Sequence, residues 1–286
     1  MKRIFLEDEI SENVVISGKD AHHLAYSLRA KKGDKIIAVD KLGHTAVIEL
    51  TEFDKEKIYA KCVGEIQTVH SSETIKIFRT IGKAGEVETH RRVKAQVFKK
   101  FITLADCLPK QNKFDVIVEK ATELGVDNIE PLISDRTIAR PGNFRAKTKL
   151  ERWNRIAKEA AEQSARDTLP VIGSIRELSE WLKEISPTIG HFVQEKNNLK
   201  FVGRNLLLFC YEKENETSLK KVLDDFRNCE CDKNIIVLIG PEGGFSEREV
   251  REIKNLGGVS VSLGKRILKT DTAALSALAN VQYELS

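Results

Sequence analysis

Two glycine-rich segments near the end of the chain are the best candidates for a ligand site. The first, Gly240-Pro-Glu-Gly-Gly244, directly follows five apolar residues at 235–239, and the second begins at Gly264 after the stretch 259–263. Apolar runs of this kind are typical of buried parallel strands, and α/β proteins bind ligands at the carboxyl ends of such strands. The pattern therefore predicts one ligand site built from both loops. Tight turns without a ligand are the alternative.

The residues of the first loop restrict the chemical class of the ligand. The loop lacks the Lys-Ser/Thr pair of a phosphate-binding loop and the Gly-x-Gly-x-x-Gly of a dinucleotide fold. Glu242 instead places a carboxylate beside the glycines, which would repel a pyrophosphate but tolerate a cation. S-adenosylmethionine has a sulfonium charge and an adenine that needs apolar walls, so it suits a site of this kind.

The elements around these loops are expected to be alternating strands and helices. Ser246 and Glu249 have the spacing of a capping box, which predicts a helix after the first loop. Thr270 or Asp271 is expected to cap the last helix. Upstream, the sequence predicts helices at 113–124 and 147–166 and strands at 129–133 and 206–210. This alternation, from about residue 74 onward, is typical of an α/β domain with a parallel sheet.

The first 72 residues have a different pattern. Three β-branched stretches at 35–40, 45–50 and 57–63 are separated by turn residues, which predicts a small β-barrel, with a short helix at 20–29. Arg29, Lys31 and Lys32 form either a nucleic-acid-binding patch or a solvated turn. Ser71-Ser-Glu73 is the best boundary, and it divides the chain into domains at 1–72 and 73–286.

Composition excludes several classes of protein. The 286 residues are 41% hydrophobic and 31% charged, which suits packed domains rather than disorder. No apolar run approaches the ~18 residues of a membrane span, and acids near the start argue against a signal peptide, so a cytoplasmic location is expected. Five mostly scattered cysteines fit a reducing compartment. Cys229 and Cys231 have no second Cys pair or nearby His, so no metal site is expected.

The two loops and four further segments resemble the motifs of the RsmE family of SPOUT methyltransferases. The loops are Leu238-Ile-Gly-Pro-Glu-Gly-Gly244 and Leu263-Gly-Lys-Arg-Ile-Leu-Lys-Thr-Asp-Thr-Ala273. The other segments are Lys120-Ala-Thr-Glu-Leu-Gly125, Pro131-Leu-Ile-Ser-Asp-Arg136, residues 153–166, and His23-Leu24 followed by Arg29-Ala30. The resemblance covers nearly the whole chain.

This resemblance implies a fold, a cofactor and a reaction. It implies a PUA-like β-barrel followed by an α/β SPOUT domain whose parallel sheet contains a trefoil knot, assembled as a homodimer. It also implies methylation of a uridine N3 in the 16S rRNA of the small ribosomal subunit, with S-adenosylmethionine as cofactor. Carried over motif by motif, the cofactor-binding residues would be Leu238, Gly240, Pro241, Glu242, Gly243, Leu263, Gly264, Ile267, Leu268 and Thr272. Arg29, Lys31 and Lys32 would then contact RNA.

Methylation at N3 requires loss of the imide proton, so a base or a stabiliser of the uracil anion is needed. Arg136 and Arg166 lie within family motifs and are the candidate catalytic residues, as anchors for RNA phosphate or uracil oxygens. Pairing within the protein is the alternative for both. Glu242 could act as a base, but a role in holding the loop or contacting the cofactor is the favoured interpretation.

Two other functions stay open at this point. A SPOUT methyltransferase acting on another rRNA site or on tRNA would have the same fold and cofactor. A non-catalytic RNA-binding protein would have no need of intact cofactor loops.

The chain also departs from the family pattern. Family Arg and Glu are replaced by Lys269 and Asp271, and the usual glycine after Ser164 is Ala165. Residues 78–100, with seven basic and two acidic groups, form an insert relative to the family pattern, either a surface segment or an RNA-binding arm.

Overall fold

The structure, a computed structural model, describes residues 2–54, 56–68, 80–81, 87–88, 100–195, 198–229 and 231–285. Two large sheets organise this part of the chain, one of six strands and one of seven. Within the described residues, no helix combines the length and apolar character needed to cross a membrane.

The six-stranded sheet belongs to the N-terminal part. Its strands are β1 (Arg3–Phe5), β2 (Asn13–Ser17), β3 (Lys35–Val39), β4 (His44–Phe53), β5 (Lys57–Cys62) and β6 (Gln67–Thr68). The order is β1-β3-β4-β5-β2, with β6 paired to β4, and only the β1–β3 pair is parallel among these pairs. Alternate residues of β2, such as Val14 and Ile16, point into a core that also contains Ile36, Ile48 and Leu50. The three predicted strands of this region are confirmed.

The rest of the described chain alternates between strands and helices, as the sequence predicts. Its helices are α2 (Lys113–Glu123), α3 (Asn143–Gln163), α4 (Leu178–Ile185), α5 (Leu219–Arg227), α6 (Glu247–Asn255) and α7 (Thr270–Glu284). Its larger strands are β9 (Lys100–Cys107), β10 (Asn128–Ile133), β15 (Leu206–Cys210), β16 (Lys233–Ile239) and β17 (Val259–Val261). The short strands are β11 (Val171–Ile172), β12 (Arg176–Glu177) and the hairpin of β13 (His191–Glu195) with β14 (Asn198–Val202).

The seven-stranded sheet is parallel in every pair and has the order β11-β10-β9-β16-β15-β17, with β12 paired to β10. Helices cover both faces, which explains why its central strands are apolar throughout. Leu104, Val237 and Leu208 pack with α2, α3, α5 and α7 on one face, whereas Ala105, Leu238 and Phe209 pack with α4 and α6 on the other. All carboxyl ends of this sheet therefore lie at one edge.

Three helix predictions need correction. The helix predicted at 147–166 is α3, which lies a few residues earlier in the chain. It begins at Asn143, four residues before the predicted start, and ends at Gln163, three residues before the predicted end. The helix predicted at 20–29 consists of α1 (Gly18–His22) and a π-helical turn, His23–Ser27, and it stops before Arg29, whose φ is 48°. Neither Thr270 nor Asp271 caps α7. The N-cap residue is Lys269, which has an extended backbone conformation, and Thr270 is already helical.

Helix α3 joins the two sheets. Ala161 packs with Phe5 and Val39 of the six-stranded sheet, and the Glu162 carboxylate accepts the backbone N–H of Phe5 at 3.1 Å. Lys158 forms an ion pair of 2.7 Å with Asp20, and Arg3 reaches Asp167 beyond the end of the helix. The two sheets are thus connected through apolar and charged contacts that local sequence patterns do not reveal.

The predicted domain boundary at 71–73 lies outside the described residues. Most of the predicted insert at 78–100 also lies outside them. Within it the structure describes only β7 (Thr80–Ile81), paired antiparallel with β8 (Val87–Glu88), and the start of β9 at Lys100.

Candidate active site

A cleft of about 460 Å³ opens at the carboxyl edge of the seven-stranded sheet. Three neighbouring strands, β15, β16 and β17, end there, and the loops that follow them form its walls. The lining includes eight of the ten predicted cofactor-binding residues: Gly240, Pro241, Glu242, Gly243, Leu263, Gly264, Ile267 and Leu268. Both predicted loops therefore meet in one pocket of the size that small-molecule sites have.

The other two predicted residues lie off the cleft surface. Leu238 is fully buried beneath the cleft, on the face of the seven-stranded sheet that α4 and α6 cover. Thr272 is exposed on the first turn of α7 and is not part of the cleft lining.

The loop after β16 is shaped by close contacts. Gly240 lies against the ring of Phe245, so a Cβ added at this position would come within 3.1 Å of it. Gly244 has a φ of 67°, and its N–H donates to the Pro241 carbonyl at 2.8 Å. A tight turn of this kind favours glycine. The predicted capping box then begins α6, since Ser246 and Glu249 each bond the other's backbone N–H.

The Glu242 carboxylate has partners of its own. It accepts the backbone N–H of Lys110 at 3.0 Å and lies 3.6 Å from Lys113 Nζ. These contacts tie the loop after β16 to the segment that leaves β9. They favour the interpretation of Glu242 as a residue that holds the loop.

The loop after β17 presents open backbone to the cleft. Gly264 has a φ of 117°, and no atom lies within 4 Å of the place where a Cβ would stand. Ile267 is 86% exposed. A side chain at position 264 would be strained by this φ, which accounts for a glycine in this wall of the cleft.

The two candidate catalytic arginines are placed differently. Arg136 is exposed beside the cleft, and its Nη1 donates to the Gly243 carbonyl at 2.8 Å. Arg166 is half-buried and donates to the carbonyls of Thr122 and Val126 at the end of α2. Burial lowers the pKa of Arg166, with the negative Asp127 opposing that change. The structure brings Arg136 to the cofactor loops, whereas the contacts of Arg166 match the alternative of pairing within the protein.

The basic residues predicted to bind RNA lie beside the six-stranded sheet. Arg29, Lys31 and Lys32 are exposed in the turn between the π-helical segment and β3. The Lys31 backbone N–H donates to Asp34, and this bond orders the turn. The RNA-binding role of these residues stays a prediction.

Comparison with known proteins identifies the family. The sequence profile of the RNA methyltransferase domain matches residues 97–282, and that of the RNA methyltransferase PUA domain matches residues 16–62. A ribosomal RNA small subunit methyltransferase E from Synechocystis is 30% identical over 96% of this chain and 74% of its own length. The chain belongs to the RsmE family of RNA methyltransferases.

Further relatives agree with this assignment to the RsmE family. The Bacillus subtilis ribosomal RNA small subunit methyltransferase E is 28% identical over 99% of this chain and 97% of its own length. The crystal structure of the Neisseria gonorrhoeae enzyme, bound to S-adenosyl methionine, has a TM-score of 0.72 and 27% identity, covering 99% of this chain and 97% of that chain. The chain is therefore an RNA methyltransferase with an α/β fold and a PUA-like N-terminal domain.

Sequence analysis missed one wall of this RsmE cleft. Cys210, the last residue of β15, also lines it, as do Tyr211, Glu212 and Asn215 in the loop that follows. The sequence does predict a strand at 206–210, and the rule for carboxyl ends applies to it as well. Chain order does not reveal that this strand adjoins the other two. β15 precedes both of them in the chain, although it lies between β16 and β17 in the sheet.

A buried acid in the same region was also missed. Asp106, near the end of β9, is fully buried, and neither of its carboxylate oxygens has a hydrogen-bond partner among the described residues. Burial, and then the charges of Glu242 and Asp271, raise the pKa of Asp106 well above its usual range. Burial and Asp106 together raise the pKa of the Cys210 thiol to about 12. The Cys210 thiol is therefore neutral at physiological pH, and Cys210 is no nucleophile.

Proposed function

We propose that this enzyme transfers the methyl group of S-adenosylmethionine to N3 of a uridine in the 16S rRNA of the small ribosomal subunit. The observation that carries the proposal is the convergence of both RsmE-like glycine loops on one cleft. Two further observations support the proposal. The relatives are named as methyltransferases of small-subunit ribosomal RNA, and the Neisseria protein was crystallised with S-adenosyl methionine bound.

The residues of the cleft suit this cofactor. The backbone groups of Gly240, Gly243 and Gly264 can approach a ligand closely, and Leu263, Ile267 and Leu268 provide apolar walls for an adenine. When bound, S-adenosylmethionine supplies an electrophilic methyl group with a neutral leaving group. No acid is then required from the protein for departure of that group.

Arg136 is the residue of this chain best placed to act on the uridine. One of its nitrogens is engaged with Gly243, which fixes the guanidinium at the rim of the cleft. The remaining donors can stabilise negative charge on the uracil oxygens as the N3 proton passes to solvent water. In this proposal Arg136 touches the substrate, while Arg166 orders the end of α2.

The proposal includes a homodimer in the cytoplasm, where ribosomal RNA is assembled into ribosomal subunits. Ile267 of the cofactor loop and Tyr283 of α7 are 86% and 81% exposed, although both side chains are large and mainly hydrophobic. A second hollow of about 260 Å³ lies between α5 and α7 and includes Leu263 and Gly264. Exposed apolar surface of this kind suits a partner subunit beside the cofactor loops, and light scattering can measure the assembly.

Replacing Gly264 by valine tests the cofactor site. At a φ of 117° a β-branched residue is strained, and relief of this strain would displace the backbone that lines the cleft. We expect Gly264→Val to weaken S-adenosylmethionine binding at least tenfold in a calorimetric titration while the protein stays folded.

Gly33→Val provides a matched control for this titration. Gly33 also has a positive φ, of 88°, and open space where a Cβ would stand, but it lies in a turn of the N-terminal sheet. The control should bind the cofactor as the wild type does. Equal affinity of the wild type and Gly264→Val would contradict the assignment of this cofactor site. No binding by the wild type would contradict the proposed function and favour a non-catalytic RNA-binding protein.

A further inference from the structure

The segment from Arg136 to Lys149 has an unusual combination of residues. It contains five basic groups and no acid: Arg136, Arg140, Arg145, Lys147 and Lys149. It also exposes two large apolar side chains, since Ile138 is 70% and Phe144 is 85% accessible. Cations interleaved with exposed flat or apolar side chains are what proteins use to bind single-stranded nucleic acid.

A fixed loop displays these side chains. Ser134 and Thr137 are buried, and their hydroxyl groups lie 2.9 Å apart in a hydrogen bond. Arg140 donates to the Ser134 carbonyl at 2.9 Å and to Glu177 at 3.1 Å. These internal contacts hold the loop in shape, so its exposed residues are positioned before any ligand arrives.

The segment adjoins the cofactor cleft. It begins at Arg136, which bonds to Gly243 of the cleft wall, and it follows β10, whose carboxyl end lies at the same edge of the sheet as the cleft. Phe144 lies in the first turn of α3, the helix that follows this loop. A polymer that places one nucleotide in the cleft can therefore continue over this segment.

Two of the cations have no partner within the described part of the chain. The side chains of Arg145 and Lys147 are exposed and form no hydrogen bond or ion pair there. Further along the same helix, in contrast, Arg152 pairs with Asp115 at 2.6 Å. The charges of Arg145 and Lys147 are thus left for an external anion.

We propose that residues 136–149 form the docking surface for the single-stranded RNA that flanks the methylated uridine. Bases stack on Phe144 and pack on Ile138, and the guanidinium of Arg145 and the ammonium of Lys147 contact phosphates. The inference rests on the proposed function, because it takes RNA as the substrate. It adds a surface distinct from the basic turn at Arg29, Lys31 and Lys32.

The stacking part of the proposal can be tested by three variants of Phe144 in the full-length protein. The probe is a fluorescently labelled single-stranded oligouridine RNA, and its binding is measured by anisotropy. We expect Phe144→Ala to weaken binding about tenfold and Phe144→Leu to weaken it nearly as much, because leucine lacks a ring. Phe144→Trp should bind as well as the wild type.

The phosphate contacts can be tested through salt dependence. We expect Arg145→Ala/Lys147→Ala to weaken binding at low salt and to reduce the slope of log affinity against log salt by about 1.4, as two lost phosphate contacts require. Lys183→Ala/Lys254→Ala removes the same charge from exposed positions elsewhere and should leave the slope unchanged. Since all these side chains are exposed, the melting temperatures should match that of the wild type.

The outcomes separate this inference from the proposed function. Variants that keep wild-type RNA affinity while the wild type methylates RNA would overturn the inference alone. Equal binding by Phe144→Leu and the wild type would overturn base stacking. A change in molar mass by light scattering, with RNA affinity intact, would assign the surface to a second copy of the chain and overturn the proposal. A wild type that binds RNA through this surface without methylating it would contradict only the proposed function.

Discussion

Ala165 occupies a backbone conformation that favours glycine. Its φ is 57°, and the bonds from Ala165 N–H to Glu162 and from Arg166 N–H to Ala161 close helix α3 in a Schellman motif. Helices α2 and α6 end with the same pair of bonds, but there glycines take the left-handed position, at Gly125 and Gly257. The structure therefore gives a physical reason for the glycine that the resemblance to the RsmE family implies at this place.

We expect Ala165→Gly to stabilise the protein. The substitution relieves left-handed strain of about 1–2 kcal/mol, and the greater freedom of glycine in the unfolded chain offsets part of this gain. A net increase of about 0.5–1 kcal/mol should raise the melting temperature by ~1–3 °C. Ala146→Gly, within the first turns of α3, is the control and should lower it. If both variants lower it equally, the account of this helix end is wrong.

Asp106 should be a source of instability at neutral pH. The pKa of its carboxyl is raised in the folded protein, mainly by burial, so its contribution to stability is greatest below about pH 4 and is lost as pH rises. We expect Asp106→Asn to melt several degrees above the wild type at pH 8 and close to it at pH 4. A variant less stable than the wild type at pH 8 would show that the carboxylate has a favourable partner.

At the scale of elements, the sequence predicts the strand–loop–helix units but not how they are arranged. The capping box at Ser246 and the glycine at the end of α2 are local signals, and both appear where they were expected. The third wall of the cleft, from Tyr211 onward, depends on β17 pairing with β15 rather than with β16. Strand order is set by contacts distant in sequence, so residue spacing could not reveal this wall or the buried position of Asp106.

The contact between α3 and the N-terminal sheet should stabilise the protein to a degree that depends on pH, because it contains Glu162. Burial raises the pKa of this carboxyl to about 7, although the N–H of Phe5 and the charge of Lys158 oppose the change. Because the folded-state pKa is the higher one, wild-type stability from this group falls as pH rises from about 4.5 through 7.

We expect Glu162→Gln to reduce this fall in melting temperature between pH 5 and pH 8, since glutamine can still accept the Phe5 N–H. Glu159→Gln, an exposed position on the same helix, is the control and should follow the wild type. If the melting temperature of Glu162→Gln falls with pH as steeply as that of the wild type, the burial of Glu162 does not cause the fall.

At the scale of the whole molecule, the family resemblance implied more than periodicity could. Composition and pattern indicate an α/β domain after a small β region, and the structure confirms both. The trefoil knot, the homodimer and the division at residues 72 and 73 stay predictions. The role of the insert at 78–100 stays one as well, because nearly all of that segment lies outside the described residues.

The central claim is methyl transfer to uridine N3 of small-subunit RNA, and it can be measured with the purified protein. The enzyme is incubated with methyl-labelled S-adenosylmethionine and, separately, with tRNA and with small ribosomal subunits from cells that lack it. Nucleosides are then separated by chromatography and identified by mass spectrometry. We predict label only in the small subunits, recovered as 3-methyluridine, and its loss in Arg136→Ala. Label in tRNA or in another nucleoside, or no transfer to either substrate, would contradict the account.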